Sequence, residues 1–353
     1  MLKKFMTAVA SAAVVAGVLL AVPAQAAGVS IAGKGSSFAN GMLQACAAGY
    51  TVNNASYTST GSGTGRTEFA AGNIQWGATD TPYTSGFPSS SYVTVPLFGG
   101  PVAFVYSAIG VGDGLNLTPQ IVSGILKGDI TRWDDAAIKA LNTRVKLPKK
   151  AIKVAYRASG SGTNSNLTNY LGQTVGGWTK SSSDMVSAAG GSSSFASNST
   201  AFANSQLLAA YVEDNSNAFG YFDLSDAVTA DVAIAKLKNA AGTFVAPTAS
   251  AAGRFLNAQT PVKGENDATD GTLRIDFTKS VSGAYQLSIL TYGLAPRNAA
   301  YPTKSTNATK LAVQNWFTYV VSTCAPAKAA KLGYVPLGGA LKTSALAQIK
   351  TIG

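Results

Sequence analysis

Apolar runs along this chain keep handing over to a glycine- and serine-rich turn and then to an amphipathic stretch. Ile152, Val154 and Tyr156 alternate as a strand entering a core, and Asn164 to Leu171 carries apolar positions at helical spacing. Between them lies the turn Arg157-Ala-Ser-Gly-Ser-Gly-Thr163. The same unit occurs earlier. Residues 29–32 alternate, Gly33-Lys-Gly-Ser-Ser-Phe38 turns, and Phe38, Met42, Leu43, Cys46 and Ala47 have helical spacing with a serine as the expected N-cap. A third unit runs from a strand at 53–60 through Gly61-Ser-Gly-Thr-Gly-Arg66 into a helix opening at Thr67. Residues 75–82 form a short buried strand that carries Asp80 to its end.

Further on, residues 92–97 and 102–106 are expected as two strands split by Gly99-Gly-Pro101. Helices are expected over 118–126, 136–141, 207–212, 311–321 and 341–352, and strands over 218–222, with a turn glycine, and 285–294. Residues 181–206 read as a long irregular excursion, 229–270 as a variable, partly irregular region, and the lysines of 146–153 most simply as a solvated loop, with a docking patch as the alternative. Strands alternating with helices define an α/β protein.

A strand, a tight turn and a helix N-terminus together present free N–H groups and the positive end of a helix dipole, which suits an anion. Ser161 and Thr163 add hydroxyl donors, and Arg157 adds a planar fork for two oxygens of an oxyanion. Any one of these turns is equally an ordinary helix cap. Co-occurrence carries the reading. No Gly-Lys-Ser/Thr phosphate loop or complete Gly-x-Gly-x-x-Gly is present. Asp80 refines the ligand: a carboxylate repels a bare anion but accepts a hydrogen bond from one that still holds a proton. Hydrogen phosphate has that proton at neutral pH and sulfate does not, so the pair discriminates between them.

The chain has no histidine, which removes histidine-based triads, imidazole zinc sites and histidine proton relays. Its 27 Lys and Arg against 16 Asp and Glu give +11, or +9 without Lys3 and Lys4. Such a surface attracts anions without a nucleic-acid signature. Met1-Leu-Lys-Lys, the apolar run 9–22 and Ala24-Gln-Ala26 read as a signal peptide cleaved before Ala27, and no later run suits a membrane span. The mature protein is therefore expected in the periplasm or outside the cell. In that oxidising setting, Cys46 and Cys324 are expected to pair.

The ordered set Gly33-x-Gly-Ser-Ser-Phe38, Gly61-Ser-Gly63, Trp76-Gly-Ala-Thr-Asp80-x-Pro82, Lys127-Gly-Asp-Ile-Thr-x-Trp133-Asp and Arg157-x-x-Gly-Ser-Gly-Thr163 continues with Phe219-Gly-Tyr221 and Leu332-Gly-Tyr-Val-Pro-Leu337. It resembles the exported phosphate-binding proteins of the high-affinity phosphate ABC transporter, over about residues 29–350. The resemblance implies a two-lobed periplasmic-binding-protein fold, each lobe a mixed sheet flanked by helices, with the ligand in the cleft. Residues 27–102 and 277–353 would form lobe I, which would hold both cysteines, and residues 103–276 lobe II. It further implies inorganic phosphate held by Ser37, Phe38, Ser62 and Asp80 from lobe I and by Arg157, Ser161, Gly162 and Thr163 from lobe II. No cofactor, metal or catalysis is implied; the partners would be phosphate and the permease subunits, the chain acting as a monomer.

Two departures stand out. Where the family often has an acid two residues after the arginine, this chain has Ser159, so Arg157 should be less compensated. Ala203-Asn-Ser-Gln206 replaces the usual Gly-Asn-x-Gly, which bears on the local loop. An adhesion or signalling protein on the same fold, and a phosphate-ester hydrolase, remain as alternatives.

Overall fold

The computed structural model describes residues 28–83, 91–261, 272–297 and 305–353; the expected signal peptide lies outside them. In the first part, β1 (Ser30–Gly35), α1 (Asn40–Ala47), β2 (Asn54–Ser59), α2 (Ser62–Ala70) and β3 (Trp76–Thr79) follow one another, then β4 (Tyr92–Tyr106). Next come β5 (Asn116–Leu117), α3 (Pro119–Lys127), α4 (Ala136–Leu141), β6 (Lys153–Arg157) and α5 (Gly162–Thr174). They are followed by α6 (Met185–Ala189), β7 (Ser199–Phe202), α7 (Ser205–Asp214), β8 (Ala218–Asp223) and α8 (Leu224–Thr229). After β9 (Ala233–Ile234), β10 (Lys236–Lys238), β11 (Phe244–Val245) and α9 (Ala249–Asn257) comes β12 (Ser288–Pro296). The chain closes with α10 (Asn307–Tyr319), α11 (Ala325–Lys328), β13 (Val335–Pro336) and α12 (Gly339–Ile349).

A ten-stranded mixed sheet runs β2-β1-β3-β12-β4-β8-β6-β7, with β13 and β9 also on β4 and helices packed along it. β1 pairs in parallel with β2 and β3, and β6 with β7 and β8. These parallel groups aim their strand ends, and the turns after them, at one place. β4 joins them: Tyr92 to Pro101 pairs with β12, and Val102 to Tyr106 with β8. All fifteen of its residues are buried. A strand covered on both faces reads as a continuous apolar run.

Here the structure corrects the sequence reading. Gly99-Gly-Pro101 does not split two strands; these residues sit in the ladder opposite Leu290, Ile289 and Ser288. The glycine serves close approach, since a Cβ on Gly99 would lie 2.5 Å from Leu256 Cδ1 and 2.8 Å from the Ile289 carbonyl oxygen. Gly220 likewise lies inside β8, not at a turn. Residues 181–206 are not irregular, because α6 and β7 occupy them and β7 extends the sheet beside β6. Within 229–270, α9 and three short strands are regular. α2 begins at Ser62, five residues before Thr67, so the Gly/Ser segment is its first turn. The N-cap of α1 is Ala39, not a serine; Ser36 Oγ instead accepts from the Ala39 N–H at 3.3 Å.

The main core runs beneath both groups of strands. Trp76 stacks on Tyr57 and meets Trp316 and Phe317, tying β3 and β2 to α10. Cys46 and Cys324 are bonded, with Cα atoms 5.6 Å apart, and fasten α1 to the segment after α10. Among the described residues no helix is long and apolar enough to cross a membrane.

Candidate functional site

Asp80 stands just past the end of β3, almost fully buried, and collects hydroxyls from three elements. Ser36 donates to Oδ2 at 2.7 Å, Ser62 to Oδ2 at 3.2 Å and Thr291 to Oδ1 at 2.9 Å. Ser62 Oγ also accepts from the Asp80 N–H at 3.1 Å, closing a two-way bond. Thr291 reaches the site from β12, whose ladder with β4 slips by one residue between Thr291 and Tyr292. Burial pushes the Asp80 carboxyl above its ordinary value, against the downward pull of Ser36, Thr291, Ser62 and Arg157.

Arg157 ends β6 with 2 % of its surface exposed. Its Nη2 donates to the Ala203 carbonyl at 2.8 Å and its Nε to the Phe202 carbonyl at 3.3 Å. Nη1 reaches Ser37 Oγ at 2.5 Å and Ser205 Oγ at 3.2 Å. No ion pair holds it among the described residues, and Ser159 is exposed. Burial lowers its pKa, opposed by Tyr221, Asp80, Asp223 and Asp226. Those three acids act from a distance. They supply part of the compensation expected to be missing at position 159, by a route the sequence did not reveal.

α5 points its N-terminus at the same place. Ser161 caps it by accepting from the Asn164 N–H at 3.2 Å, which leaves the Gly162 and Thr163 N–H groups without intrahelical partners. Thr163 Oγ1 is fully buried and has no hydrogen-bond partner among the described residues, as a donor meant for a ligand would be. Gly162 packs so closely that a Cβ would fall 2.3 Å from Ser62 Oγ and 2.8 Å from Asp80 Oδ2. Two direct bonds also tie the groups: Gly63 N–H to the Gly160 carbonyl at 2.7 Å, and Asn166 Nδ2 to the Asp80 carbonyl at 2.7 Å.

Ser37, Ser62, Asp80, Arg157, Ser161, Gly162 and Thr163 are thus gathered into one buried cluster, and Phe38 is buried beside Ser37, its ring edge-on to Tyr334. Sequence reasoning missed Ser36, Asn166, Ser205 and Thr291. Ser36 stood inside a quoted motif. Ser205 stood inside the quoted departure at 203–206, whereas Asn166 and Thr291 carry no local signal, because helix packing and strand pairing alone bring them in.

A sequence profile of the PBP superfamily domain matches residues 21–323, and the chain belongs to that superfamily of periplasmic-binding-protein folds. Within it, the chain is PstS-like. It is 28% identical over 332 residues to the phosphate-binding protein PstS of Haemophilus influenzae, covering 91% of this chain and 93% of that one. It is 30% identical over 230 residues to the phosphate-binding protein PstS of Xylella fastidiosa, a match spanning 64% of this chain but 62% of its relative, under two thirds of that protein's length. The fold is similar to a phosphate-bound, high-affinity periplasmic phosphate-binding protein (PfluDING), with a TM-score of 0.72, 19% identity and coverage of 90% and 93%.

Proposed function

We propose that this chain is an exported substrate-binding protein that captures inorganic phosphate between two lobes and delivers it to an ABC transporter. The lobes would be 27–102 with 277–353, and 103–276, hinged where β4 changes partner from β12 to β8. The observation that carries the reading is the meeting of Asp80 with Arg157 and the α5 N-terminus in one water-shielded cluster. Ser37, Phe38, Ser62 and Asp80 would bind from one side, and Arg157, Ser161, Gly162 and Thr163 from the other. Fixed donors replace the hydration shell that the anion gives up. Several charge-assisted bonds, each contributing about 1.5–3 kcal/mol, support affinity near micromolar or tighter after ordering costs. The PstS relatives, named as phosphate-binding proteins, support phosphate as the ligand.

Calorimetric titration of phosphate-stripped protein should give one phosphate per chain and much weaker sulfate binding. Turnover of a chromogenic phosphate ester, or equal affinity for the two anions, would overturn the reading. A further variant addresses the electrostatics. Ser159→Asp places a new exposed carboxylate two residues from Arg157, so phosphate affinity at low ionic strength should fall by about threefold and lose salt dependence. Titrations across a salt series check this, and identical slopes in parent and variant would show position 159 to be electrostatically silent.

A further inference from the structure

Counting donors and acceptors around Arg157 leaves one hydrogen over. Ser37 Oγ accepts from Arg157 Nη1 at 2.5 Å and from the Ser205 backbone N–H at 3.1 Å. A serine oxygen has two lone pairs, so both are in use. The 2.9 Å contact between Ser37 Oγ and Ser205 Oγ must then be made with the Ser37 hydrogen, so Ser37 would meet phosphate through its backbone N–H. Ser205 Oγ accepts that bond and a second from Arg157 Nη1 at 3.2 Å, which fills its own lone pairs. Its hydrogen therefore has no acceptor among the described residues, although the side chain is fully buried.

The backbone agrees. Ser205 is the first residue of the ten-residue α7, and the Asn204 side chain caps that helix by accepting from the Leu207 N–H at 2.9 Å. The positive end of α7 therefore faces the cluster, as that of α5 does. A buried hydroxyl donor with no protein acceptor, beside an arginine and at a helix N-terminus, suits an anion's oxygen.

We propose that Ser205 is a further anion-binding residue, its O–H donating to an oxygen of the bound phosphate next to Arg157. This rests on the phosphate reading above and extends it to a residue outside every matched motif. Position 205 lies in Ala203-Asn-Ser-Gln206, where the resembled pattern is absent. The departure thus supplies a ligand donor, while the Phe202 and Ala203 carbonyls hold the arginine without a nearby acid.

The test is calorimetry with inorganic phosphate on the full chain and on Ser205→Ala, Ser205→Cys and Ser205→Thr, with melting of each ligand-free protein. Loss of one bond to a charged ligand predicts a drop of about tenfold to a hundredfold in Ser205→Ala. Ser205→Cys, which keeps the volume but donates weakly, should follow it and decides the matter if Ser205→Ala does not fold. Ser205→Thr keeps the hydroxyl and should recover most of the affinity, and ligand-free melting should change little throughout. Parent affinity in both Ser205→Ala and Ser205→Cys overturns the proposal and leaves the phosphate reading standing. So does weaker binding that tracks a lower ligand-free melting temperature and is not recovered by Ser205→Thr, which would make the serine only a strut. A parent that binds no phosphate overturns both.

Discussion

Replacing Asp80 with asparagine should erase most of the preference for phosphate over sulfate while leaving the ligand-free protein folded. Asp80 is the one carboxylate in a cluster otherwise made of donors and hydroxyls, so it alone demands a proton from the ligand. In the parent, sulfate leaves two acceptors facing each other in a buried site. An unmatched pair of this kind costs about 3 kcal/mol, or roughly a hundredfold in affinity. The Asp80→Asn amide donates to sulfate and removes that penalty, so phosphate should weaken, sulfate should strengthen, and their ratio should shrink by about that factor. An unchanged ratio in paired titrations would move the selectivity to another residue.

The pH dependence separates this role from a structural one. Burial raises the Asp80 pKa, so the folded chain holds its proton more tightly than the unfolded chain. Ionised Asp80 therefore costs stability above its folded pKa, and this cost is relieved as pH falls toward the ordinary carboxylate value. Asparagine carries no such cost. The ligand-free variant should melt no lower than the parent near neutral pH. Phosphate binding by the parent should decline as acid protonates Asp80, and the variant should lack that decline.

Removing the Cys46–Cys324 disulfide should produce the largest stability loss. The bridge closes a loop with a sequence separation of 278 residues, and both sulfurs lie in the core. The chain-entropy model assigns such a loop about 5–6 kcal/mol, and measured effects run lower, typically about 2–4 kcal/mol. The Cys46→Ala, Cys324→Ala double variant should unfold at clearly lower denaturant, while its phosphate affinity, measured where it is still folded, should match the parent. Neither cysteine touches Asp80 or Arg157, so a large loss of affinity would reveal a coupling that the contacts do not contain. Mass spectrometry of exported protein should find no free thiols.

Much of this molecule was legible before folding. Strand–turn–helix units are local objects: hydrophobic periodicity, glycine in a tight turn and serine at a helix start act within about ten residues. A helix opening after the turn at 157–163 and Asp80 at the end of a strand were therefore readable. Where the local rule misled, a tertiary contact had overruled it. Gly99 and Gly100 carry a turn's composition, yet β12 pairs across them and Leu256 needs the space a Cβ would fill, so one strand runs through. Residues 181–206 lack an apolar stripe because β7 is an edge strand, held by its ladder with β6 and not by burial of its own side chains.

What the sequence by itself determined is an inventory: a histidine-free chain with glycines and hydroxyls at helix starts, a carboxylate at a strand end, an arginine after another strand, and two cysteines to pair. Only the tertiary structure decided which groups share the site. Thr291 lies 211 residues from Asp80, Ser205 lies 168 from Ser37, and Asn166 lies 86 from Asp80. Contacts at such separations are set by strand register and helix packing, and leave no trace in the residues on either side of them.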